Sequence, residues 1–141
     1  MEFHKILVPV NGSSVDDDVI KLACTLAKKT RAKIYVVYVI QVQRRLPLYA
    51  EIPSEIEKAE KVLNHAEDTA EDWDYEVETD LLQAREIGSA IVDEAMERGV
   101  DLILMGIPYK KRFGVFNVGR VAPVILKDAP CRVLLWREPM G

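Results

Sequence analysis

Four runs along the chain are apolar at almost every position, and the stretches between them repeat apolar residues every three or four positions. The runs are KILVPV (residues 5–10), KIYVVYVI (33–40), VDLILMG (100–106) and the shorter CRVLLWR (131–137). A short β-branched run with no polar alternation describes a strand covered on both faces. The stretch YEVETDLL (75–82) alternates only in part, which predicts a strand near a sheet edge with one face in water.

The intervening segments carry the helical period. Val15, Val19, Leu22, Ala23, Leu26 and Ala27 form one face. The turn NGSS precedes them, with Ser13 or Ser14 as the expected cap, and Asp16, Asp17 and Asp18 sit at the positive end of the helix dipole. Ile56, Ala59, Leu63, Ala66 and Ala70 repeat opposite a face of Glu, Lys and Asp. In REIGSAIVDEAMERG (85–99), Ile87, Ala90, Ile91 and Ala95 point inward, and Gly99 ends the helix in the left-handed cap that glycine favours. A last helix is expected over 121–127, with Pro123 in its first turn, where a missing N–H costs little. QVQRRLPLYAEIP (41–53) has no period and two prolines, so it reads as a loop or arm.

Strand alternating with helix, over connections long enough for crossovers, predicts a parallel sheet covered on both faces: a three-layer α/β/α, Rossmann-like fold. In such sheets ligands bind outside the carboxyl ends of the strands, where the winding order reverses. The candidate ends are 9–12, 39–41 and 105–109.

Composition narrows this further. The 141 residues suit a single domain over 1–141 that buries its core without disulfide or metal. Apolar residues make up 49% and charged residues 30%, with a net charge of −4, so no dominant basic surface for nucleic acid exists. No apolar run spans a bilayer and the first residues lead into a strand without a signal-like region, which predicts a cytoplasmic protein with no membrane insertion. Cys24 and Cys131 lack metal or redox spacing and read as small core residues. His4 and His65 are far apart, and His4 is expected beside the first strand; no residue stands out as a catalyst or metal ligand. The three adjacent aspartates point in three directions along a helix, so a solvated first turn is expected rather than a magnesium site.

The segment MGIPYKKRFGVFNVGR (105–120) carries the candidate chemistry. Gly106, Gly114 and Gly119 permit close backbone approach or conformations that a Cβ resists, and Lys110, Lys111, Arg112 and Arg120 form a rim with no acid among them. Amides between Val118 and Val121, at a helix start, suit an anion. A solvated cationic loop accounts for the same residues, and spacing does not separate the two readings.

The sequence as a whole resembles the universal stress protein family, of the adenine nucleotide alpha-hydrolase-like fold. The resemblance rests on ILVPVNGS, IYVVYVI, IVDEAMERGVDLILMG and APCRVLLW, with only the arm at 41–53 standing apart. It implies a five-stranded sheet in the order 3-2-1-4-5 and a homodimer through the C-terminal strand, with Trp136 either an interface anchor or a core residue. Members that bind ATP carry Gly, two residues, Gly, nine residues, Gly, then Ser or Thr. Gly106 and Gly119 match, whereas Tyr109 replaces the second glycine, Arg120 replaces the hydroxyl residue, and Asn11 stands where an aspartate usually follows the first strand.

The implied pocket comprises Pro9, Asn11, Val39 and Met105 around base and ribose, with Gly106, Tyr109, Gly119, Arg120 and Val121 toward the phosphates. Asn11 keeps a carbonyl acceptor and adds a donor. The Tyr109 ring either blocks phosphate or stacks on a base, and Arg120 either grips phosphate or fills the pocket itself. Two functions follow. One is a nonenzymatic homodimeric module that binds ATP or AMP, with magnesium entering only with the nucleotide, and answers stress by changing its conformation or its affinity for an unidentified protein partner. The other is a dimeric scaffold of the same family that binds no nucleotide.

Overall fold

The computed structural model describes residues 1–109, 111–112, 115–116 and 118–140. The first apolar run forms β1 (Lys5–Pro9), and the helix after it is α1 (Asp16–Lys28). There follow β2 (Lys33–Gln41), α2 (Pro53–Asp72), β3 (Glu78–Ala84), α3 (Ile87–Arg98) and β4 (Leu102–Ile107). Two-residue strands β5 (Lys111–Arg112) and β6 (Val115–Phe116) pair antiparallel where the sequence predicts only a glycine loop; Lys110 and Gly114 lie outside the described residues. Helix α4 (Val121–Asp128) and β7 (Arg132–Arg137) complete the chain.

The main sheet has the order β3-β2-β1-β4-β7 with every pair parallel, which is the 3-2-1-4-5 winding. The third strand begins three residues later than its alternation suggests, because Tyr35 to Gln41 of β2 pair with Glu78 to Ala84 and the ladder rather than the pattern sets its bounds.

Alternate residues of the central strands enter two separate cores. Ile6, Val8, Ile34 and Val36 pack with Val19, Ala23 and Cys24 of α1 and Ala59, Leu63 and Ala66 of α2. Leu7, Tyr35, Val37 and Val39 pack on the other side with Ile91, Val92 and Ala95 of α3 and with Ile125. Both faces are therefore apolar, which is why these strands lack polar alternation. Cys24 is fully buried, Cys131 only partly, and burial pushes both thiols above their ordinary pKa. His4 flanks β1, and the Asp101 carboxylate accepts its backbone N–H at 2.8 Å.

The segment between β2 and α2 folds back over β3: Gln83 Nε2 donates to the carbonyls of Leu48 and Ala50, and the Arg85 guanidinium to that of Gln43. One sheet edge is thus partly covered by the arm, and the other edge is β7.

Candidate functional site

The winding reverses between β1 and β4. They are paired at Ile6–Leu102 and Leu7–Ile103, the shortest register in the sheet, with no further pair among the described residues. Beyond Leu7 the backbone turns to β2 instead, where the Val10 N–H donates to the Val37 carbonyl at 2.9 Å. The two strands part at their carboxyl ends, and a crevice opens there.

Pro9, Asn11, Val37, Val39, Met105 and Gly106 line its strand side. Ile87 and Ile91 of α3 and Val121, the first residue of α4, close it from above. The crevice volume is about 70 Å3, and past Ile87 and Val121 it adjoins a larger hollow of about 330 Å3 lined by Gln41, Glu86, Ser89, Arg120 and Val124. The first volume is well below the several hundred Å3 usual for a small-molecule site, and only the two spaces together reach that size.

Six of the expected residues, Pro9, Asn11, Val39, Met105, Gly106 and Val121, share the crevice, and Arg120 stands in the adjoining hollow. Gly119 adopts φ +78° just before Arg120, the cap residue of α4, a left-handed conformation that a side chain resists. The glycine requirement at Gly106 has a different origin from the one the sequence suggests. A Cβ there would meet Val15 Cγ1 and Val19 Cγ2, each at 2.6 Å, so the bare backbone is what lets α1 lie close on β4. Tyr109 does not line the crevice. Its ring lies under the Arg137 guanidinium, 4.9 Å from the centroid, and its N–H donates to the Glu138 carboxylate at 2.8 Å.

The turn after β1 also differs from expectation. No serine side chain caps α1, whose cap residue is Val15. Asp16 turns back instead and accepts the N–H groups of Gly12 at 2.8 Å and Asn11 at 3.3 Å, together with the Ser13 hydroxyl at 3.3 Å. Burial pushes the Asp16 carboxyl above its ordinary pKa, although the two amides pull the other way. The aspartate triplet is therefore not uniformly solvated: Asp16 enters the crevice wall and Asp17 pairs with His65 Nε2 at 2.9 Å. The Asn11 side-chain carbonyl accepts the Ser13 N–H at 3.1 Å.

Val10, Asp16, Val37, Ile87 and Ile91 were not picked out as crevice residues from sequence. For Ile87 and Ile91 the signal existed, since their helical spacing marks them as inward. For Asp16 no local pattern distinguishes a carboxylate that folds back from one in water. Among the described residues no group of three or more His, Cys, Asp or Glu is arranged for a metal ion, and no helix is long and apolar enough to cross a membrane.

A parallel sheet wound in both directions, with a crevice at its switch point walled by apolar strand ends, defines the doubly wound class of α/β proteins. Within that class, the universal stress protein family model matches residues 2–137, and the chain belongs to that family. It is 32% identical over 143 residues to a universal stress protein of Methanocaldococcus jannaschii, covering 97% of this chain and 84% of the relative. Among solved structures, a universal stress protein from Archaeoglobus fulgidus superposes with a TM-score of 0.80 at 25% identity, over 94% of this chain and 97% of that one. A universal stress protein from the same organism in complex with dAMP superposes with a TM-score of 0.75 at 26% identity, over 96% and 98%.

Proposed function

We propose that this protein binds an adenine nucleotide in the crevice between β1 and β4 and acts as a homodimeric regulatory module of the stress response. The observation that carries the reading is the convergence of Pro9, Asn11, Val39, Met105, Gly106 and Val121 on one crevice that continues toward Arg120. Val39 and Met105 offer the apolar walls a purine needs, and Asn11 offers donors to ribose or base. Gly119 turns the chain toward α4, where the dipole of the helix start favours a phosphate, and Arg120 adds a cation in the hollow beside it. The dAMP complex of the Archaeoglobus fulgidus relative supports the ligand class. Magnesium would enter with the nucleotide, and no residue here is assigned a catalytic role.

Dimerisation is read from β7, the strand that ends the order of the main sheet, with Trp136 on it 40% exposed.

The test is thermal denaturation with and without millimolar AMP or ATP and magnesium, together with analysis of nucleotide released on denaturing the purified protein. A raised midpoint is expected, because a ligand that binds only the folded state stabilises it. No shift and no released nucleotide would leave the second reading, a nucleotide-free dimeric scaffold. That reading is favoured by the small volume of the crevice and by the carboxylate on the Tyr109 amide.

A further inference from the structure

We infer that Glu138 sets the length of phosphate chain this site accepts, admitting a nucleoside monophosphate and disfavouring a triphosphate. The inference rests on the nucleotide reading above. Glu138 follows the last residue of β7, and its two carboxylate oxygens are separately engaged. Oε1 accepts the Tyr109 N–H at 2.8 Å and Oε2 accepts the Ser14 hydroxyl at 2.9 Å.

Those donors belong to the loops that leave β4 and β1, the two strands whose parting creates the crevice, and they lie just beyond its residues Gly106 and Asn11. A negative group spanning a backbone amide and a hydroxyl at this end of the sheet does what phosphate oxygens would do. The carboxylate is also held in place. The Glu138 N–H donates to the Ile107 carbonyl at 2.9 Å, and the neighbouring Arg137 packs its guanidinium on the Tyr109 ring.

A ligand phosphate has two directions open to it from the crevice. Toward α4 it meets helix amides and Arg120. Toward the β1 and β4 loops it meets an anion that has taken the donors, and like charges at close range oppose binding. One phosphate is accommodated by the first direction alone, whereas a longer chain extends toward both.

The experiment is calorimetric titration of wild type, Glu138→Ala and Glu138→Gln with AMP and with ATP, with thermal midpoints recorded for each protein. The expected result is tighter binding of AMP than of ATP by the wild type. In Glu138→Ala that preference falls by about tenfold or more, through a gain in ATP affinity. Glu138→Gln keeps a carbonyl acceptor for the Tyr109 N–H and turns an NH2 donor to the Ser14 hydroxyl, which can accept it, while removing the charge, so a matching change there assigns the effect to charge rather than to a disturbed fold. Binding of ATP by the variants alone also supports the inference. An unchanged AMP to ATP ratio in both variants overturns it while leaving nucleotide binding intact. Absence of binding by all three proteins overturns the nucleotide reading and this inference with it.

Discussion

A Cβ built on Gly106 falls 2.6 Å from Cγ1 of Val15, closer than two carbons can approach. Gly106→Ala is expected to cost about 1 to 3 kcal/mol by overpacking between β4 and α1. Chemical denaturation measures it. Because Val15 is one of the two side chains in the way, Val15→Ala in the same protein should recover part of the loss, and strictly additive effects would show that the clash is not the cause.

Asp16 and the Gly12 amide give a pH dependence whose sign is fixed by burial. The folded state raises the carboxyl above the 3.8 of the free group, so folding takes up a proton between the two values. The ionised form opposes folding above the folded pKa, and that opposition is relieved as pH falls through it. Wild type should therefore gain stability relative to Asp16→Asn on going from pH 7 toward pH 4. Urea midpoints of both proteins across that range check it; a difference that stays constant or moves the other way contradicts the assigned burial.

Gly119 at φ +78° and Gly99 at φ +63° form a matched pair, for a Cβ at either position meets nothing within 4 Å. Alanine at each should cost about 1 kcal/mol from the left-handed backbone alone, seen as a fall of roughly 3 to 5 °C in the melting midpoint. Only Gly119→Ala should also weaken AMP binding in calorimetry, since Gly99 ends α3 at the opposite end of the sheet. Equal binding by both variants would remove Gly119 from the site.

Trp136 lies on the edge strand β7, and Trp136→Asp should shift the protein from dimer to monomer in sedimentation equilibrium at micromolar concentration, with the circular dichroism of the fold retained. A change of that kind is expected because a charge placed in the proposed interface would be buried without a partner. A monomeric wild type would refute the dimer directly.

The architecture was legible because it depends on local periodicity: strands buried on both faces, helices with one apolar stripe and a glycine at the end of α3 can each be read within ten or twenty residues. The universal stress protein resemblance supplied the strand order, and the pairings of β1, β2, β3, β4 and β7 agree with it. Bounds were less legible where a ladder sets them, as at Glu78, and at the start of α1, where Val15 rather than a serine is the cap residue.

What the amino-acid order determined by itself was which residues lie at the carboxyl ends of the strands and at the start of α4, because chain neighbours cannot be separated: Pro9 with Asn11, Met105 with Gly106, Gly119 with Arg120. What tertiary structure alone decided was how those ends face one another. Glu138 reaches Ser14 across 124 positions. Gly106 owes its missing side chain to Val15 and Val19. Asp16 leaves the solvent to hold the turn after β1. Each of these is a contact between elements brought together by the sheet, and its energy depends on distance in space, which the spacing of residues along a chain does not encode.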